Sequence, residues 1–199
     1  MAKGGETRER IVDRAFHMAT RDGLDGLSIG VLAGELGMSK SGLFAHFGSK
    51  EDLQLAVIGA ASQRFEAFVW RPALKAPRGE PRLRKLLERW LLWVNEPSLP
   101  GGCLFVAASA ELDDKEGRPR AFLVGEQKRM CESIAKAARL AIEAGHFRSD
   151  VDCDQFAFDA YAVVLGYNLQ RRLMRDPKAE ARARRSFERL IEAAHPGRS

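Results

Sequence analysis

From Leu36 to Lys50 the chain carries Lys40, His46 and Lys50 and no aspartate or glutamate. A cationic stretch without acids is suited to meeting phosphate. Within it Ser39 stands directly ahead of Lys40-Ser-Gly-Leu. A serine there caps a helix by accepting a first-turn amide, and the remaining amides stay free to meet an anion. The pattern turns Leu43 and Phe47 inward and leaves Lys40, Ser41, Gly42, Phe44 and His46 outward. Joined to the preceding short helix by the turn at Gly37-Met38, this is the layout of a helix-turn-helix whose second helix enters the major groove of DNA. With so few donors on its outer face, Lys40 is the expected base reader, toward guanine. A second basic stretch holds Arg71, Lys75, Arg78, Arg82, Arg84, Lys85 and Arg89 against Glu80 and Glu88; it reads as a solvated helix face and loop.

Catalytic chemistry is not expected. The chain shows no nucleophile–base pair, carboxylate pair or metal-ligand spacing, so it reads as no enzyme, with no cofactor and no metal. Ser133-Ile-Ala-Lys136 matches a penicillin-enzyme motif but lies mid-helix without its companions. The glycines before Ser39-Lys40-Ser41 resemble a phosphate loop, yet no strand precedes them. The three cysteines, Cys103, Cys131 and Cys153, are widely spaced and read as reduced thiols of a cytoplasmic protein. The polar start, Met1 to Glu6, reads as no signal peptide. A net charge of +5 on 199 residues is compatible with a polyanionic partner but does not require one.

The elements that position these residues are all helical by periodicity. The spacing predicts helices over Thr7–Asp22, Ser28–Leu36 and Ser39–Phe47, the last two broken at Gly37-Met38. Ile29, Leu32, Ala33 and Leu36 form the inward stripe of the middle one. Ser49 with Asp52 starts a long helix expected to end at Pro72, and Pro72 to Pro81 reads as a loop. Further helices follow: one through Leu83 to Val94, then Cys103–Leu112, Pro119 to Gly145, 152–175 and 177–194, nine in all. The stretch Phe156 to Leu169 is apolar on nearly every side, so it should be covered on two faces. With the stripe Ala183, Phe187, Leu190, Ile191 and Ala194, it predicts a homodimer seam made by 152–175 and 177–194. Trp90, Trp93, Phe105, Phe122 and Tyr161 are candidates to line an apolar pocket, with Cys103 and Asn168 as polar handles. The alternative for each of them is plain core.

The stretch from Thr7 to about Leu53 resembles the TetR family of bacterial regulators. The resemblance rests on Ile11-Val12-x-x-Ala15-Phe16, Gly23-Leu24, Leu27-Ser28, Leu32-Ala33, Gly37-Met38-Ser39-Lys40-Ser41-Gly42-Leu43-Phe44 and His46-Phe47-x-Ser49-Lys50-Glu51-x-Leu53, in order. It implies an all-α protein with a three-helix DNA-binding unit at 6–52 (helix-turn-helix 28–47) and a ligand-binding, dimerising body at 53–195. By position it implies that Ser28 and Lys50 touch phosphate and that the outer face of Ser39 to His46 lies in the major groove. Three departures stand out: Phe44 replaces a tyrosine that contacts phosphate, Ala45 replaces a larger polar residue, and Ser41-Gly42 shifts the usual glycine by one. The expected function is a repressor that leaves a palindromic double-stranded operator when a small-molecule effector tilts the long helix. The alternatives are a helical ligand-binding or adaptor protein without specific DNA readout.

Overall fold

The computed structural model describes residues 2–197. They form nine helices, and among them there is no strand. We number these α1 (Ala2–Asp22), α2 (Ile29–Glu35), α3 (Lys40–Phe47), α4 (50–74), α5 (Glu80–Val94), α6 (Leu104–Leu112), α7 (Arg118–Glu143), α8 (153–173) and α9 (Ala179–Ala194). The chain divides into two compact units: one takes the chain up to Arg64 with Glu96–Glu126, the other Phe65–Asn95 with the chain from Gln127 onward.

In the first unit Ile11, Ala15, Phe16 and Ala19 of α1 are buried with Leu32, Ala33, Leu43, Leu53 and Ile58. The buried Gln54 amide donates to the Leu24 carbonyl at 3.1 Å, which anchors the α1–α2 loop. The guanidinium of Arg64 lies 4.0 Å from the centroid of the Phe16 ring, and Arg64 also pairs with Asp13. Residues 96–126 bring the buried Leu99, Leu104, Phe105, Ala108 and Leu112 to this unit, along with polar ties that no local pattern announces. Glu111 accepts the Asp25 amide at 2.9 Å, Lys115 pairs with Asp25, and Arg118 reaches Asp52 at 2.9 Å.

In the second unit the predicted stop at Pro72 does not occur: helix continues to Leu74. The reason is a change of helical register. Residues Glu66–Trp70 form a π-helical turn, with the Arg71 amide bonded to the Glu66 carbonyl. Pro72 lacks the N–H that would meet the Phe68 carbonyl in regular helix. Arg89 Nε donates to that carbonyl instead, at 2.9 Å, and its guanidinium lies 4.0 Å from the Phe68 ring centroid. A second π turn, Leu169–Leu173, closes α8, and Arg175 follows with φ +52°. Helix α8 is buried along Phe156, Ala157, Ala160, Val164 and Tyr167, and α9 along Ala183, Phe187, Ile191 and Ala194. The outer side of α8 is uncovered in one chain: Phe158 is 66% exposed and Leu173 76%.

Residues at the start of α5 tie this unit together. His146 Nδ1 accepts the Glu80 amide at 3.1 Å, so its imidazole caps the helix. Glu80 takes hydrogen bonds from Arg84 (2.6 Å) and His195 (2.7 Å), and Arg84 also reaches Glu188 at 2.7 Å. Burial pushes the Glu80 carboxyl up, but the Arg84 and His195 bonds outweigh it and hold it below the usual carboxylate range.

Candidate nucleic-acid interface

Two serine caps and one left-handed glycine shape the pair α2–α3. Ser28 caps α2 by accepting the Val31 amide at 3.4 Å. Ser39 caps α3 by accepting the Gly42 amide at 3.0 Å, and its hydroxyl lies 3.1 Å from that of Ser41. Between the helices Gly37 has φ +65°, a conformation that favours glycine, and it lets the Met38 amide turn back to the Ala33 carbonyl at 2.9 Å. Leu43 and Phe47 seat α3 inward. Ser39, Lys40, Ser41 and Phe44 stand exposed, while Gly42 and His46 are half-buried at the flank. Phe44 is 42% exposed, so its ring is available to a partner instead of filling the core.

Lysines flank this face differently. Lys40 runs back across α2, its Cε 3.0 Å from where a Cβ on Gly30 would stand. Lys50 Nζ donates to the Asp25 carbonyl at 2.7 Å, which fixes the ammonium beside the α1–α2 loop. Glu35, the acid on α2, is tied to Arg14 at 2.6 Å; that bond holds its carboxyl below the usual range. The anionic side chain closest in sequence to the exposed face of α3 is thus already paired.

The predicted pocket residues are divided between the two units. Cys103, Phe105 and Phe122 lie in the first unit; the two former are buried and Phe122 is 36% exposed. Trp90, Trp93, Tyr161 and Asn168 lie in the second. There Trp90 stacks on Tyr161 with centroids 5.7 Å apart, and Phe65 meets both Trp90 and Trp93 edge-on. The Tyr161 hydroxyl donates to Gln127 at 2.8 Å. Trp93 Nε1 and Asn168 Oδ1 are buried with no hydrogen-bond partner among the described residues, which costs free energy unless something meets them.

An open cavity of about 550 Å³ lies elsewhere in the second unit, among Trp70, Leu74, Arg78, Arg82, Leu86, Lys136 and neighbours. Sequence reading passed over it because Arg78 and Arg82 belong to a basic run that looks like solvated surface. The signal was the pairing of that run with Ser133, Lys136, Ala137 and Leu140, a mixed face at helical spacing on α7. Among the described residues no three His, Cys, Asp or Glu side chains gather as a metal site would need. No helix of the described chain is long and apolar enough to cross a membrane.

Comparison with known proteins gives these arrangements a family. Residues 11–57 match the family described as bacterial regulatory proteins, tetR family, and residues 79–187 match the tetracyclin repressor-like C-terminal domain. No relative was found among curated proteins. A TetR transcriptional regulator from Chloroflexus aurantiacus J-10-FL is similar at 25% identity and TM-score 0.86, with 96% of each chain covered. A TetR-family regulator from Cytophaga hutchinsonii has TM-score 0.88 at 20% identity, over 100% of this chain and 99% of that one. AibR, solved with isovaleryl coenzyme A and operator DNA, has TM-score 0.72 at 23% identity, over 96% of this chain and 99% of its own. Since the C-terminal match alone spans more than half of the sequence and the N-terminal match falls on the helix-turn-helix, the chain belongs to the TetR family of DNA-binding transcriptional regulators.

Proposed function

We propose that the chain is a homodimeric repressor of the cytoplasm that reads a palindromic operator through α3 and leaves it when a small molecule binds the body. The observation that carries the reading is the open face of α3. Its N-terminus is capped by Ser39, its outer residues Lys40, Ser41 and Phe44 are exposed, and no carboxylate side chain lies among residues 36–50. Ser28, Ser39, Lys40, Ser41, Gly42, Phe44, His46 and Lys50 are the proposed DNA contacts. Serine-capped helix starts and lysines would meet phosphates, and Phe44 would supply an apolar contact, as to a thymine methyl.

Dimerisation through 152–175 and 177–194 is supported by the bare apolar side of α8, where Phe158, Leu165, Leu169 and Leu173 are all exposed in the single chain. The proposed division of labour is DNA reading by 6–52 and ligand binding with dimerisation by 53–195. The AibR complex, a fold neighbour holding operator DNA and an acyl coenzyme A, shows one such fold serving both ligands. Effector control then requires tighter effector binding to the state that does not fit the operator. The proposal includes no catalytic role.

Footprinting on the DNA upstream of the protein's own gene tests the reading. Two protected half-sites about one helical turn apart, ~34 Å, are expected for two copies. A single asymmetric patch or no protection contradicts it.

A further inference from the structure

The cavity in the second unit combines an apolar floor with an unequal charge distribution. Trp70, Ala73, Leu74, Leu86, Ala137 and Leu140 form the apolar part. Three cations border it, Arg78, Arg82 and Lys136, against one carboxylate, Glu66, which Arg71 already meets at 3.4 Å. Arg82 is held in place by two bonds to the Ala76 carbonyl, at 3.3 and 3.0 Å. Those bonds satisfy donors, but among the described residues no carboxylate lies within ion-pair distance of its charge. Among the described residues neither Arg78 nor Lys136 has a carboxylate within ion-pair distance, and both are exposed at the mouth. The Ser133 hydroxyl gives its proton to the Arg129 carbonyl at 2.7 Å, so toward the cavity it can only accept.

We propose that this cavity binds an amphipathic monoanion, an organic acid with an aliphatic or ring-bearing tail. The head sits between Arg78 and Lys136, and the tail lies along Trp70, Leu74, Leu86 and Leu140. A volume near 550 Å³ falls within the range of small-molecule sites, roughly 300–1,000 Å³. A neutral tail alone leaves the cations uncompensated, and a cationic ligand meets repulsion. Control of DNA binding through this site rests on the repressor reading above; occupancy of the site does not.

Decanoate serves as the probe, with decanol and decylamine as uncharged and cationic controls of the same chain length. Titration of the full-length protein by calorimetry should show saturable decanoate binding at one site per chain. Trp70 emission should change with it, and Trp70→Phe should remove that optical signal while calorimetry still reports binding. The double variant Arg78→Ser/Lys136→Ser loses two charge-assisted contacts on exposed positions, so it should stay folded and bind decanoate at least about tenfold more weakly. Decanol should bind the wild type no better than decanoate binds the double variant. Equal affinity of wild type and double variant for decanoate, or equal affinity of wild type for decanoate and decanol, overturns the site. Operator release is read separately in the same titration. Saturation of the cavity with the DNA complex untouched leaves the site standing and refutes control of DNA binding through it.

Discussion

Lys40 rests on Gly30: the Lys40 Cε lies 3.0 Å, and its Nζ 3.4 Å, from the point where a Gly30 Cβ would stand. The same point is 3.9 Å from the Ser28 hydroxyl oxygen, so the ammonium sits beside the start of α2. Substituting Gly30→Ala should raise stability by about 0.5–1 kcal/mol, because alanine is the better helix former. The same change pushes the Lys40 stem off its seat and should weaken operator binding severalfold. Urea unfolding and fluorescence anisotropy with labelled DNA read the two effects separately. An unchanged DNA affinity would mean that the seat has no part in binding.

Where Lys40 rests bears on what it reads. The scarcity of donors on that face points to a guanine, but an ammonium beside the Ser28-capped helix start is placed for phosphate. Lys40→Ala should therefore lower affinity about equally on all operator variants and reduce the magnitude of the salt slope by roughly one. Relaxed specificity at a single base pair, worth ~1–3 kcal/mol there, would restore the base-reading role.

Arg89 substitutes for an amide that Pro72 cannot offer to the Phe68 carbonyl. Arg89→Met should cost about 1–3 kcal/mol by leaving that carbonyl and the ring contact unmet. Adding Pro72→Ala returns an N–H to the helix, so the double variant should recover part of the loss. Strictly additive costs in this cycle would rule the compensation out.

The helix-turn-helix was legible because its determinants are local: Gly37 sets the turn, Ser39 the cap, and Leu43 and Phe47 the inward face within a few residues. The continuation of α4 past Pro72 was not legible, since it depends on a guanidinium from α5 that no local pattern pairs with Phe68. The pocket residues were ambiguous for a different reason. Core and cavity aromatics share the same helical spacing, and only the tertiary structure shows Trp90 and Trp93 at 2% and 3% exposure while Trp70 borders the open cavity.

Acid should loosen the second unit through Glu80. Its carboxyl is held below the usual range in the folded chain. That contribution is complete above the unfolded-state carboxylate pKa and is lost as pH falls through the lower folded value. Thermal melts from pH 6 down to pH 3 should thus show a decline below about pH 4.5. Glu80→Gln should be less stable by about 1–2 kcal/mol at pH 6 and respond less to acid. Parallel curves for the two proteins would rule Glu80 out as the acid-sensitive group.

Phe158 is 66% exposed on α8, so Phe158→Asp should cost a folded single chain little while placing a charge in the proposed seam. Light scattering at micromolar concentration should give a dimer for the wild type and a monomer for the variant. A monomeric wild type contradicts the dimer.

Sequence-specific DNA binding is tested most directly by anisotropy titration of the protein's own upstream DNA against a scrambled duplex, at low and at physiological salt. The expected result is tighter binding to the upstream DNA at both salts, weakening steeply as salt rises. No binding at low salt, or equal affinity for both duplexes, would contradict it.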